Sequence, residues 1–111
     1  MESIDKQILT PDILLKNGFE ELPQIWIRRS FKKTIYFKIE HHRVKTASRS
    51  IKVQFCNYKD IPPSIRVMIT SLDAKYELWT REDYHVSQFI QVLRVMGYNE
   101  IADSFNKSTQ A

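Results

Sequence analysis

Three segments of the chain alternate between apolar and polar residues, and this alternation constrains the fold more than any other feature of the sequence. The apolar positions are Ile35, Phe37 and Ile39, then Ile51, Val53 and Phe55, then Ile65, Val67 and Ile69. Because successive side chains of a strand point to opposite faces, such a segment predicts a strand with one face in a core and one in water. We therefore predict strands over 33–40, 50–57 and 64–70. Shorter segments at 24–29 and 75–79 bring the expected number to about five.

A helix is predicted before these strands. Thr10 is a typical N-cap residue, and Pro11 suits the first helical position because its missing N–H would be unused there. Gly18 is typical of a helix C-terminus. These signals together predict a short helix over 11–17.

The clearest helical pattern follows the strands. Thr80 and Asp83 have the spacing of a capping box, and Gly97 ends the pattern. Asn99 is expected to cap a last short helix. One face of the main helix carries the apolar residues Val86, Phe89, Ile90, Leu93 and Met96. This stripe predicts the helix side of a hydrophobic core.

The order of the elements predicts an α+β fold. Short connections favour an antiparallel β-meander of about five strands, in which a loop at 57–63 contains two prolines. A short N-terminal helix flanks the sheet, and the C-terminal amphipathic helix packs against it. We expect a single domain over 1–111, with fraying at 1–8 and 106–111.

The composition excludes several classes of protein. Hydrophobic residues make up 42% and charged residues 27% of the 111 residues, which is typical of a globular domain. Cys56 is the single cysteine, so an internal disulfide is excluded. The first residues lack the pattern of a signal peptide, and no segment is apolar enough to span a membrane. We therefore expect no membrane partner, and a location in the cytoplasm of the producing cell or in a virion.

Two segments resemble a known group of sequences. Residues 8–21 contain Leu-Thr-Pro-Asp-Ile-Leu followed by Asn-Gly-Phe, and residues 84–97 contain Tyr-His-Val-Ser-Gln-Phe-Ile-Gln-Val-Leu-Arg-Val-Met-Gly. They resemble the opening and the closing helix of a family of small uncharacterised proteins from Bacteroides-type gut bacteria, their phages and mobile elements. The family forms are roughly Leu-Thr-Pro-Glu-Ile-Leu-x-x-Asn-Gly-Phe and Tyr-Val-His-Glu-Leu-Gln-x-Ala-Leu-Arg-x-Cys-Gly.

The resemblance implies a helix–sheet–helix architecture, a phage or mobile-element setting and a bacterial cytoplasmic or virion location. It implies no activity. The chain departs from the family pattern where His85 precedes Val86 and where Met96 replaces a cysteine. Its strands are also basic, whereas those of the family are often acidic.

No residue pattern predicts catalysis, a metal site or a cofactor. His41 and His42 are adjacent, so on a strand they would point to opposite faces. Neither they nor His85 and Cys56 have the spacing of a metal site. With two glycines in the chain, the usual phosphate-binding loops cannot form. We therefore expect a protein that is not an enzyme.

A strongly basic segment predicts one kind of binding. Between residues 28 and 52, nine basic residues are opposed by a single acidic one, Glu40. An open sheet face that carries cations and an aromatic side chain can bind single-stranded nucleic acid through phosphate contacts and stacking. A hairpin register with Lys38 opposite Lys52 would add local repulsion that a bound anion relieves. The residues of this hypothesis are Arg28, Arg29, Lys32, Lys33, Lys38, Arg43, Lys45, Arg49 and Lys52, with Tyr36 for stacking.

Large side chains on the polar face of the strands predict a second kind of binding. Trp26, Met68 and Trp79 fall at such positions, and exposed apolar groups of this type often mark protein partner sites. Trp26 is close to the N-terminal helix in sequence and fits a second small core better than a partner site. We expect an accessory protein that binds another protein, which is itself, a phage protein or a host protein, through Met68 and Trp79. Single-stranded nucleic acid is the alternative partner.

Overall fold

The computed structural model describes residues 7–24, 28–38, 46–58, 61–70, 75–81 and 83–109. These residues form three helices and five strands. In chain order the elements are α1 Pro11–Lys16, β1 Glu20–Glu21, β2 Arg28–Lys38, β3 Thr46–Tyr58, β4 Ile61–Thr70, β5 Lys75–Arg81, α2 Val86–Val95 and α3 Asn99–Thr109.

The strands form one antiparallel sheet in the order β1-β2-β3-β4-β5, so the predicted α+β fold with a five-stranded meander is confirmed. The strand boundaries differ at the start of the sheet. A single strand, β2, stands where the two strands 24–29 and 33–40 were predicted. The sheet still has five strands because the two-residue β1, which was not predicted, pairs with β2. Residues 30–32 contain neither Gly nor Pro, and their continuous pairing with β3 keeps the backbone extended across the expected break.

The predicted loop over 57–63 is shorter in the structure. β3 runs to Tyr58, β4 begins at Ile61, and both Pro62 and Pro63 lie in β4. Their strand is irregular there, because the register with β3 shifts between Cys56 and Tyr58. Proline is tolerated at the start of a strand or beside a bulge, where no ladder N–H is required.

The predicted first helix is confirmed as α1. Thr10 Oγ1 accepts a hydrogen bond from the backbone N–H of Ile13 at 3.4 Å, and Pro11 occupies the first turn. Gly18 follows the C-cap residue Asn17 with a φ of +83°, which a residue with a Cβ adopts at a cost. Lys33 from β2 donates its Nζ to the carbonyl oxygen of Asn17 at 3.0 Å. This lysine therefore joins the end of α1 to the sheet.

The starts of the C-terminal helices differ from the prediction. Helix α2 begins at Val86 with His85 as N-cap, so Thr80 and Asp83 do not cap it. The backbone N–H of His85 donates to Oε1 of Gln88 at 2.9 Å, which is the capping-box contact with a glutamine in place of an acid. Thr80 is part of β5 because its position pairs with β4.

The last helix is longer than expected. Helix α3 has 11 residues, and its first turn closes on the carbonyl of Tyr98, so Asn99 lies inside the helix. Before α1, the backbone of Gln7–Leu9 pairs with Tyr84–Val86 through hydrogen bonds of 2.8 and 2.9 Å. The fraying predicted for 1–8 and 106–111 stays a prediction.

The core lies between one face of the sheet and the helices. Its centre is a cluster of aromatic rings, in which the centroid of Phe89 lies 5.2 Å from that of Phe105 and 6.4 Å from that of Phe19. Tyr84 contacts Phe89 from the other side. The sheet contributes the buried residues Phe31, Ile51, Val53, Ile65, Val67 and Ile69.

Candidate binding surface on the open face of the sheet

The register of the four longer strands divides their residues between two faces. One face, which we call the covered face, contributes to the core under the helices. The opposite face, which we call the open face, carries mostly polar and charged side chains. Its described residues are Glu20, Arg28, Ser30, Lys32, Thr34, Ser50, Lys52, Gln54, Cys56, Ser64, Arg66, Met68, Thr70, Lys75, Glu77, Trp79 and Arg81.

Three cross-strand rows organise the middle of the open face. The first row is Lys32, Lys52, Met68 and Glu77; the second is Ser30, Gln54, Arg66 and Trp79; the third is Arg28, Cys56, Ser64 and Arg81. Neighbouring strands lie about 4.8 Å apart, so adjacent members of one row are in reach of one another. Cations stand at both ends of the third row, at the first two positions of the first row and inside the second row.

Trp79 is the most exposed large apolar side chain on the open face, at 52% exposure. The guanidinium carbon of its cross-strand partner Arg66 lies 4.8 Å from the centroid of the Trp79 ring. Arg66 is itself held by Glu77, with 2.7 Å from Nε to Oε1 and 2.6 Å from Nη2 to the same oxygen. The carboxylate therefore fixes the guanidinium against the indole, and the pair presents a preorganised surface to water.

Met68 lies next to this pair. It is half-buried on β4, directly opposite Glu77 and diagonal to Trp79. The two residues that the sequence predicts for protein binding, Met68 and Trp79, are thus brought together on one face. Arg66 adds to them the third side-chain type that is frequent at the centre of protein interfaces.

Two lysines face each other on the same surface. Lys32 of β2 pairs with Lys52 of β3, and both are half-buried. The expected opposition of Lys38 and Lys52 is wrong, because Lys38 pairs with Thr46. Like charges directly opposite each other on an antiparallel pair are destabilising. The repulsion predicted for this hairpin therefore involves Lys32, which lies six residues before the expected Lys38.

An acid of β1 extends the first row beyond Lys32. Glu20 of β1 lies opposite Lys32 on its other side, at an exposed position. Lys32 therefore has an acidic neighbour on one strand and a basic neighbour on the next. Lys52 lies between Lys32 and Met68, which makes it the less compensated cation of the row.

The second row contains two buried polar side chains. Ser30 and Gln54 are each only 7% exposed, and Nε2 of Gln54 donates to Oγ of Ser30 at 3.1 Å. Within the described part of the chain, Oε1 of Gln54 is buried without a hydrogen-bond partner.

Three cations of the predicted nucleic-acid site lie on the covered face. Arg29 binds Glu21 with both ends of its guanidinium, at 3.0 Å from Nε to Oε2 and 3.1 Å from Nη2 to Oε1. These hydrogen bonds hold the pKa of Glu21 below its ordinary value. Lys33 caps α1 through Asn17, and the charge of Arg49 acts on Tyr98, whose pKa is raised mainly by burial.

The structure thus brings together only part of the predicted site. Of its described side chains, Arg28, Lys32 and Lys52 share the open face, whereas Arg29, Lys33 and Arg49 do not. The backbones of Tyr36 and Lys38 belong to β2, but their side chains, and the whole of Arg43 and Lys45, lie outside the described residues.

Sequence reasoning missed several members of the open face. Lys75, Glu77 and Arg81 occupy every second position of β5 together with Trp79, and this spacing could have placed them on the same face. Arg81 was missed because the strand was expected to end at Trp79. Gln54 was placed correctly on the polar face, but its burial depends on tertiary packing that the alternation does not report.

The described residues contain no group of three or more His, Cys, Asp and Glu side chains arranged to hold a metal ion. None of the helices in the described part of the chain has the length and apolar character needed to cross a bilayer. Comparisons with protein-family models, with curated proteins and with solved structures find no match. The resemblance of residues 8–21 and 84–97 to a Bacteroides and phage family stays a prediction.

Proposed function

We propose that this chain is a small non-enzymatic accessory protein that binds another protein through the open face of its sheet. The phage or mobile-element setting of this proposal rests only on the resemblance of the two terminal segments. The observation that carries the binding role is the exposed Trp79 ring, held against Arg66 on a surface without a covering helix among the described residues.

The chemistry of this pair suits a protein partner. An indole offers a large contact area with few rotatable bonds, and an ion-paired arginine loses little entropy when a partner covers it. Met68 beside them adds an adaptable apolar surface. The surrounding ring of Lys52, Arg81 and Glu77 is polar, as in the rim of a typical interface.

The experiment is affinity capture from a lysate of the source cell at low and at high salt. The immobilised protein is compared with Trp79→Ser and with the control Leu15→Ser, which removes an apolar side chain of 45% exposure from α1. We expect a partner that persists at high salt, that the Trp79 variant loses and that the Leu15 variant keeps. Equal capture by both variants would contradict the proposal.

A second candidate function is supported by the pairing of Lys32 with Lys52. Together with Arg28, Arg66 and Arg81 these lysines make the open face basic, and a bound phosphate chain would relieve the repulsion between them. A single strand could stack a base on Trp79. This version predicts oligonucleotide binding that weakens steeply with salt.

One titration distinguishes the protein-binding function from the nucleic-acid-binding function. Labelled single-stranded oligonucleotide is titrated at several salt concentrations with the wild type, with Lys32→Ala/Lys52→Ala, and with the control Lys107→Ala on α3. Nucleic-acid binding predicts that the double variant lowers the salt slope by about 1.4, since each lost phosphate contact contributes about 0.7. Absence of binding at low salt would leave the protein-binding role alone.

A further inference from the structure

One edge of the sheet ends in a strand without a neighbour. β5 is last in the strand order, and within the described residues no strand pairs with its outer edge. Its side chains alternate between exposed and half-buried over all seven residues, Lys75–Arg81. Such an edge presents a row of backbone groups that can pair with another strand.

An apolar groove runs beside this edge on the covered face. It lies between β5 and α2 and has a volume of about 360 Å³. Gln88 and Gln91 contribute polar groups to its lining, and the other lining residues are Tyr76, Leu78, Tyr84, Val92, Val95 and Met96. Val95 is 80% exposed, the highest value among the exposed large apolar residues. The edge and the groove together form a surface that is apolar on one side and charged on the other.

We propose that a second copy of this chain occupies this edge, with β5 pairing antiparallel to the partner's β5 about a two-fold axis at Trp79. The paired segment is 77–81. Trp79 lies opposite the partner's Trp79, and Glu77 lies opposite the partner's Arg81. The two sheets join into one continuous sheet whose open faces lie on the same side.

The charges of β5 select this register. An axis at Leu78 would place Lys75 opposite the partner's Arg81 twice, and an axis at Glu77 would place that acid opposite itself. An axis at Tyr76 places Lys75 opposite the partner's Glu77 twice but pairs only three residues, and an axis at Thr80 also pairs only three. The axis at Trp79 pairs five residues and creates two contacts between opposite charges, so the length of the pairing and charge complementarity together favour it over the other registers.

The geometry around Glu77 fits this arrangement. Both contacts from Arg66 reach Oε1 of Glu77, and Oε2 is the oxygen that we assign to the partner's Arg81. On the covered face, Leu78 meets the partner's Thr80, and the partner's β5 lies along the open side of the groove.

This inference rests on the proposed function, because it names a partner for the same Trp79 region. The first measurement is the molar mass by light scattering over a wide concentration range. We expect a dimer of twice the 13.2 kDa of the chain. Arg81→Glu should weaken the dimer about 10-fold, because two attractive contacts become repulsive, while Lys107→Glu on α3 changes charge equally and should leave it unchanged.

Disulfide trapping tests the register. Glu77→Cys and Arg81→Cys are each made with Cys56→Ser and then mixed under mild oxidation. Opposite residues of an antiparallel pair have Cα atoms about 4.5–5.5 Å apart, which is the range of a disulfide. We expect disulfides between the two variants and few within either one. Disulfide dimers of the Glu77→Cys variant alone would overturn the Trp79 axis.

The outcomes separate this proposal from the function it rests on. A monomer at all concentrations overturns self-association. If that monomer still captures another protein in a Trp79-dependent way, the proposed binding role stands. If capture is also independent of Trp79, both fail.

Discussion

The covered and open faces of the sheet are built from the same strands, yet they use charge in opposite ways. Lys33 on the covered face donates to Asn17, whereas its neighbour Lys32 on the open face lies opposite another lysine. Arg29 on the covered face and Arg66 on the open face are each bound by a carboxylate, Glu21 and Glu77, but only Arg66 lies against an exposed tryptophan. The side of the strand therefore separates Lys33, which joins α1 to the sheet, from Lys32, which lies opposite a like charge.

The largest test of this contrast compares two aromatic residues. Phe89→Ala removes a ring that is 0% exposed and packed against three other rings, so we expect unfolding to become easier by about 3–5 kcal/mol. Trp79→Ala on the open face should change stability by less than about 1 kcal/mol, because half of its surface is already in water. Urea denaturation followed by circular dichroism measures both values. Similar losses in the two variants would show that the open face is part of the core.

A smaller effect compares the adjacent lysines. Lys33→Met removes the donor to the carbonyl at the end of α1 while keeping the apolar stem, so we expect a loss of about 1 kcal/mol. Lys32→Met relieves its repulsion with Lys52 and also removes its attraction to Glu20, so the two effects oppose and stability should stay nearly unchanged. The same denaturation assay gives both numbers. A greater loss of stability from Lys32→Met than from Lys33→Met would mean that the open-face lysine, and not the covered-face lysine, stabilises the fold.

The fold was largely predictable because three strands alternate without interruption. The inward positions Ile51, Val53, Ile65, Val67 and Ile69 are all buried as the alternation predicts. The errors lie where local signals were weak. β1 has two residues and no pattern of its own, and it forms because Glu20–Glu21 pairs with β2. The start of α2 was misplaced because the capping residue is a histidine, which is not a frequent N-cap.

The binding surface was less predictable because it depends on register. The pattern placed Lys52, Arg66 and Met68 on the polar face, but it could not show which residue of β2 lies opposite Lys52, since sequence alone leaves shifts by an even number of positions open. Such a shift keeps every side chain on its face while changing every neighbour. The structural roles of Arg29 and Lys33 likewise depend on Glu21 and Asn17. The sequence pattern does not indicate where these two residues lie relative to the sheet.

The smallest effect concerns the ion pair that occupies Arg29. Hydrogen bonds from Arg29 hold the pKa of Glu21 below its ordinary value, which is about 4.3 in unfolded chains. A carboxyl whose pKa is depressed by folding stabilises the protein above its unfolded pKa, and this contribution is lost as the pH falls through the folded pKa. We therefore expect Glu21→Gln to be less stable than the wild type at neutral pH, and the difference to shrink as the pH falls below about 4.3 and to disappear below the folded pKa of Glu21. Thermal unfolding of both proteins over this pH range measures the difference, with Glu100→Gln on the exposed start of α3 as the control variant. A difference that stays constant with pH would mean that Glu21 acts by packing rather than by charge.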